Sequence, residues 1–412
     1  MPDSSPTVPR LTYLRIKNYR ALRDVEFRDL TPLTVLIGPN GSGKSTVLDA
    51  LDFLAEAVRG NLQAAWEKRD RFRGMRTRGS KDNIYFKIIV STSIGNLIYA
   101  LELGEHNEKV YVIKEELIYG EAQNQKVVFH AALSDDYKFT EIESNTIISE
   151  ENKRVAPDQT FGSVASSESM LFWISTLSSN IDYISMGVQE LLKTYRLFHL
   201  THDHLKGYSD AGPRERLSPN GDNLPNVLYY LHERHPETLA NITAQLRRWV
   251  PQLADIITEI TSDERLLLRF KDGPFEKPFA AKYMSDGTMR LAAILTLLYE
   301  PNATGLLGME EPDNELHPLL LYRLAEELGK ASETRQLLVT THSPMLLDAL
   351  DPAQVWLLHR GADGYTQATR TADIPNVPEL VEDGAPLGYL WTSNAFSAGN
   401  PLAPFHPRPD AR

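Results

Sequence analysis

Apolar positions alternate along residues 11–37, in LTYLRIKNY and LRDVEFRDL, and close into the run LTVLI, which predicts three strands. After Lys44 the segment STVLDALDFLAEAV changes to helical spacing, with Gly60 as the expected stop. Between 84 and 130 the runs IYFKIIV, LIYALEL, VYVIKEELIY and KVVFH predict an antiparallel meander. Residues 131–165 are polar and acidic and are expected to form a loop-rich excursion. Residues 166–200 and 223–260 are expected to be helical, with Pro213, Pro219 and Pro225 punctuating their join. RLLLRF at 265–270 restores strand character. The pattern then alternates: helix 287–299, strand 304–309, helix 314–329, strand 335–341, helix 344–349, strand 354–359. Such alternation implies a mainly parallel sheet with helices packed on it.

The expected fold class is α/β, with a mixed central sheet, an antiparallel β-subdomain and an inserted helical lobe. The expected division is 1–130, 131–264, 265–360 and a tail at 361–412 that is rich in Pro and Gly and resists placement. Composition adds little to this, since 42% hydrophobic and 24% charged residues are ordinary for a globular chain. Neither a spanning apolar run nor a secretory leader is evident, and there is no cysteine, which excludes disulfides and thiolate chemistry. A cytoplasmic location without membrane association is the expectation. The net charge of −12 argues against a protein that coats nucleic acid over its whole surface. The charge is uneven, however. Residues 68–81 hold seven Lys or Arg and one Asp, while 131–151 hold six acids, Asp135, Asp136, Glu141, Glu143, Glu150 and Glu151. The basic run reads either as a solvated loop or as a site tracking phosphates, with Arg71, Arg73, Arg76 and Arg78 as candidate DNA or RNA contacts.

GPNGSGKS, Gly38 to Ser45, fits the phosphate-binding pattern G-x-x-x-x-G-K-[ST] and stands between an apolar strand and a helix. Gly38, Pro39, Asn40, Gly41, Ser42, Gly43, Lys44, Ser45 and Thr46 are the candidate nucleotide-binding residues. Glycines let backbone N–H groups turn inward around phosphates, and the helix N-terminus adds partial positive charge. Lys44 would reach the β- and γ-phosphates, and Ser45 would hold Mg²⁺. Farther on, GLLGMEEPDNELHP delivers Glu310 and Glu311 at a strand end. Glu310 is assigned to the Mg²⁺ and Glu311 to the general base. The competing reading is two solvent-facing glutamates before a helix that opens at Pro312. LLVTTHSP brings His342 to another strand end, placed to feel the γ-phosphate.

The order of these motifs, with MSDGT at 284–288 opening a helix between them, resembles that of ABC-type ATPases. More narrowly, the chain is similar to the standalone RecF/SMC-like and OLD-like (overcoming lysogenization defect) ATPases. LRIKNYRALRDVEF resembles their first hairpin, Glu-Glu-Pro followed by Leu-His-Pro their Walker B and D-loop region, and LSPNGDNLPNVLYYL their helical lobe. The resemblance implies ATP and Mg²⁺ as cofactors. It also implies heads paired head to tail, in a homodimer or higher even oligomer. Ser285, Asp286 and Gly287 would then complete the partner's ATP site in trans, although Ser285 or Asp286 could equally be a plain N-cap. The turn departs from L-S-G-G-Q, with Asp286 for the first glycine and Thr288 for the final glutamine. A glutamine linking the site to the moving lobe is missing: Gln63 precedes the meander, and Arg71 to Gly79 is the alternative region. Lys17, Tyr19 and Arg20 are candidate adenine contacts.

His199, His202, Asp203 and His204 in FHLTHDHL suggest metal ligands, but with no partner cluster they read as surface or helix-end residues. His232 and His235 read as solvent-facing. The expected function is an ATP-hydrolysing head coupled to a separately encoded effector, such as a nuclease, or to nucleic acid, in defence against phage or in DNA maintenance. Residues 343–412 are expected to be too short for a nuclease domain and carry no nuclease motif. Two other readings stand beside this one, a slow nucleotide-gated scaffold and a transporter subunit.

Overall fold

A computed structural model of the chain describes residues 8–120, 126–133, 139–143, 182–206, 209–210 and 212–400. The expected polar excursion lies largely outside the described residues, as do residues 166–181 and the side chains of His202 and Asp203.

Alternating apolar positions at the start of the chain build an antiparallel sheet. β1 (Arg10–Tyr19) and β2 (Leu22–Phe27) form a hairpin, and β4 (Ile84–Thr92), β5 (Gly95–His106), β6 (Lys109–Tyr119), β7 (Lys126–Leu133) and β8 (Phe139–Glu143) continue it. The order is β2-β1-β4-β5-β6-β7-β8, antiparallel throughout, as the meander pattern predicts.

A second sheet has the order β17-β16-β3-β15-β14-β9. It comprises β3 (Leu33–Ile37), β9 (Arg196–Phe198), β14 (Leu306–Glu310), β15 (Gln336–Thr341), β16 (Val355–Arg360) and β17 (Thr366–Arg370). All pairs are parallel except β16–β17. Every residue of β3 and of β15 is buried, which explains their nearly unbroken apolar runs. The faces still alternate. Leu36, Leu306, Leu338, Trp356 and Leu358 pack with the antiparallel sheet and α1 (Lys44–Glu56). Val35, Ile37, Leu307, Met309, Val339 and Leu357 face the opposite core, shared with the helices of the second half. α1 is thus held between the two sheets, and its N-terminus is fixed against the C-terminal ends of the parallel strands.

Several elements depart from the sequence pattern. Gly60 breaks the first helix as expected, at φ +86° within the turn Ala57–Asn61, but the chain does not leave the helical layer there and resumes as α2 (Leu62–Lys68) and α3 (Arg71–Met75). The segment expected as continuous helix to residue 200 ends with α4 (Asp182–Thr194) and then joins the central sheet as β9, beside the equally apolar β14. After α5 (His202–Leu205), α6 (Leu224–Arg234) and α7 (Pro236–Trp249), residues 253–260 form β11 (Leu253–Ile260) rather than helix. β11, with β10 (Ser209–Asp210), β12 (Arg265–Asp272) and β13 (Phe279–Ala280), makes a small antiparallel sheet. Its β-branched residues and Pro251 favour that outcome. α8 (Asp286–Leu298) follows as predicted. α9 (Leu321–Ala331) starts later than 314, because Glu311 at φ +44° and Glu315 at φ +65° hold residues 311–317 as turns.

Part of the basic run is not solvated. Arg69, with 3% of its side chain exposed, pairs with Asp49 at 3.0 Å and Asp52 at 2.8 Å and also with Glu56, fastening the segment after α2 to α1. Among the described residues, no helix is long and apolar enough to cross a membrane.

Candidate nucleotide-binding site

β3 leads into the loop Gly38–Gly43, which wraps around the start of α1. Lys44 is buried, and its Nζ donates to the carbonyls of Gly38 at 2.8 Å and Pro39 at 3.1 Å, the conformation of an arch closed on itself. Burial pushes its pKa down to about 8, against the pull of Glu311. The last hairpin of the sheet supports the loop from outside. Thr366 Oγ1 donates to the Ser42 carbonyl at 2.8 Å, and Arg360 Nε donates to the Gly41 carbonyl at 2.7 Å. Gly43 sits at φ +106°, and a Cβ there would lie 2.5 Å from Thr366 Oγ1, so both backbone angle and space require glycine. The buried Ser42 hydroxyl has no protein partner among the described residues, which leaves donor capacity inside the cradle.

β14 and β15 end beside this loop. Glu311 leaves the sheet with its N–H donating to the Thr340 carbonyl at 3.0 Å. Its carboxylate accepts from Asn314 Nδ2 at 2.7 Å and lies 3.3 Å from His342 Nε2. Burial and the nearby Lys44 push the His342 pKa down, and Glu311 opposes them, so a neutral imidazole faces the glutamate at neutral pH. Lys44, Glu311 and His342 therefore converge. Glu310, at the end of β14, meets β9 on the far side of the sheet from β15: His199 Nδ1 is 2.9 Å from Glu310 Oε2.

Ser285 caps α8, its Oγ accepting from the Thr288 N–H at 3.2 Å, yet the residue is exposed and can also meet an external group. Asp286 Oδ1 lies 2.5 Å from Lys206 Nζ. Gly287 backs closely onto the turn after β14: a Cβ there would stand 2.7 Å from the Glu315 carbonyl oxygen. Arg290, one turn further, donates to the Glu311 carbonyl at 3.3 Å and to Glu315 at 3.4 Å. The start of α8 is thus tied to the glutamate turn of its own chain.

The four arginines divide. Arg71 stacks over the Trp66 ring and pairs with Glu108 at 3.4 Å. Arg73, Arg76 and Arg78 line a cavity of 590 Å³ together with Arg20, Thr46 and Arg360, beside the phosphate loop. Of the three adenine candidates only Arg20 lies there. Tyr19 is buried with its hydroxyl on Asp49, and Lys17 pairs with Asp24.

Sequence reasoning missed several residues. Arg360 and Thr366 fall in a hairpin without a motif, and Arg290 looks like any helix residue. Asp313 stood in plain view within EEPDNELHP: it is buried, one carboxyl oxygen lacks a partner, and burial pushes its pKa up to about 6.

Comparison with known proteins bears on the family and the fold. The family model described as "AAA domain, putative AbiEii toxin, Type IV TA system" matches residues 33–348. The Retron Ec83 probable ATPase of Escherichia coli is 23% identical over 398 residues, 85% of this chain and 72% of that protein. The OLD nuclease of Thermus scotoductus is 36% identical over 76 residues, 18% of this chain, so the chain spans only 14% of that relative's length. Among solved structures, an SmcHead bound to the C-winged helix domain of ScpA shares the fold, with a TM-score of 0.51, 14% identity, 87% of this chain and 96% of that one covered. The matched domain, the ABC-type head fold and the relatives lead to one assignment: the chain belongs to the AAA-domain family so described, as an OLD-like ATPase of the ABC type.

Proposed function

We propose that the chain binds ATP with Mg²⁺ at Gly38–Thr46 and hydrolyses it with Glu311 as general base, in a head-to-tail pair, to drive a separately encoded effector. The observation that carries this reading is the convergence of Lys44, Glu311 and His342 at the ends of three adjacent strands. The donor set suits the cofactor: the Ser45 hydroxyl and the Glu310 carboxylate are hard oxygen ligands of the kind Mg²⁺ takes. When bound, the cation neutralises charge on the phosphates. Lys44 would exchange its two carbonyl partners for phosphate oxygens, whose negative charge favours its ammonium form. Glu311, oriented by Asn314 and by the Thr340 carbonyl, accepts the proton of the attacking water. Neutral His342 donates from its ring N–H and orients that water or a γ-phosphate oxygen.

Pairing of two heads is supported by the exposed Ser285 and by the exposed apolar side chains next to the two turns, Tyr283 at 72% and Leu319 at 69%. Effector coupling and a role in defence against phage rest on the retron and OLD relatives. Glu311→Gln should lower turnover about a hundredfold or more while leaving ATP affinity within a few-fold, measured by phosphate release and equilibrium binding. An unchanged rate would remove Glu311 from the base role and favour the slow scaffold.

A further inference from the structure

The layer of short helices that follows His342 takes no part in the reading above. α10 (Pro344–Leu347) is a single turn capped by Ser343, and after β17 come α11 (Val377–Glu382) and α12 (Leu387–Thr392). α12 packs on both α10 and α11, and α10 packs on α9. Leu346, Leu347, Val377, Leu387 and Leu390 turn inward to the second core. Tyr389 faces outward and is 61% exposed, while Tyr322 and Leu380 are each 39% exposed. The Tyr322 hydroxyl donates to Asp348 Oδ2 at 3.4 Å, and Asp348 Oδ1 accepts from the Gly388 N–H at 2.8 Å. One carboxylate thus joins the two helices that carry the exposed tyrosines.

Charge around these rings is one-sided. From Thr371 to Asn400 the chain has four acids, Asp373, Glu379, Glu382 and Asp383, and no Lys or Arg. Asp373 pairs with Arg370 at 3.0 Å, and the other three residues are exposed. Exposed aromatic rings beside acids without a neighbouring base suit a partner that brings both apolar contact and positive charge. The geometry points to this face as the docking site of an effector segment in which Lys or Arg residues flank a Leu, Ile or Phe. A close contact joins the face to the ATP site. A Cβ on Gly388 would stand 2.0 Å from the carbonyl oxygen of Pro344, two residues past His342. A shift of His342 toward a γ-phosphate presses that carbonyl against α12, so the segment and ATP change each other's affinity. This inference rests on the effector coupling proposed above.

The test selects phage-displayed random peptides of about 16 residues on the full chain, discarding those that also bind Tyr389→Ser. The remaining peptides should be enriched in Lys or Arg beside aliphatic residues or Phe. By fluorescence anisotropy, the best of them should bind about tenfold more weakly to Tyr389→Ser and to the double variant Glu379→Lys with Glu382→Lys. A non-hydrolysable ATP analogue should change its affinity about fivefold or more. All three positions are exposed, and thermal melting checks that the variants fold. If no peptide distinguishes Tyr389→Ser, or if those that do are acidic, the docking site is overturned and the nucleotide site stands. Peptide affinity that ignores the analogue, in protein that binds it, overturns the coupling. Loss of ATP-dependent dimers in Tyr389→Ser assigns the face to a second copy, and tighter peptide binding after removal of residues 401–412 assigns it to the chain's own tail. Either result overturns the effector as occupant. Failure of the wild type to bind a fluorescent ATP analogue overturns the nucleotide site, and the peptide selection reads independently of it.

Discussion

Asp313 is a carboxylate kept in an expensive place. Buried behind Glu311 with one oxygen unpartnered, it titrates at about 6 instead of 3.8, with burial as the main cause. A carboxyl whose folded pKa lies above its unfolded one favours the folded state below pH 4. That contribution is lost as pH rises through 6, so the ionised form costs on the order of 2–3 kcal/mol at pH 8. Asp313→Asn should therefore raise the melting temperature by a few degrees at pH 8, with the gain shrinking toward pH 5, as followed by thermal denaturation at both. An equal gain at both pH values would mean that the charge is not what destabilises the native state. The placement of Asp313, between the base and the turn that Arg290 and Gly287 contact, is a reason for the strain to persist at a working site.

At the scale of elements, α3 and the extended chain after it repay attention. Arg73, Arg76 and Arg78 line one cavity downstream of the Gly60 kink and of the Arg69 pairs that lock the following turn to α1. We propose that this arginine wall tracks phosphates, either of nucleic acid or of the nucleotide itself. Reversal of all three to Glu should weaken DNA or RNA binding and flatten its salt dependence by about 2–3 logarithmic units per decade, measured by fluorescence anisotropy over a salt series. A loss confined to ATP affinity would assign the wall to the nucleotide. The same elements show what was legible beforehand. The strands around the P-loop and the three strand-end motifs follow from apolar runs that both packed faces require. β9 was not legible, because three residues carry no period and its place depends on a partner strand over 100 positions away. Nor was the destination of single charges within 68–81: Arg69 and Arg73 look alike in sequence, and only tertiary contact buries one and exposes the other.

The whole molecule presents the phosphate loop, the glutamate turn and the start of α8 around the ends of one parallel sheet. Ser285 is exposed and its hydroxyl already serves its own helix, so the intramolecular role and a contact with a second head are compatible. Ser285→Arg should leave ATP binding by the monomer intact and abolish the ATP-dependent doubling of mass in light scattering. Dimers of normal stability in that variant would count against the trans contact.

The order of strands in the central sheet has a consequence for how the chain is made. β3, all of whose residues are buried in the finished fold, finds its two neighbours in β15 and β16, which are translated some 300 residues later. Until they emerge, LTVLI offers two bare edges to any other chain, next to a phosphate loop whose outer supports, Arg360 and Thr366, do not yet exist. Closing so long a contact is slow, and nascent chains that pause before residue 336 are the ones most exposed to misassociation.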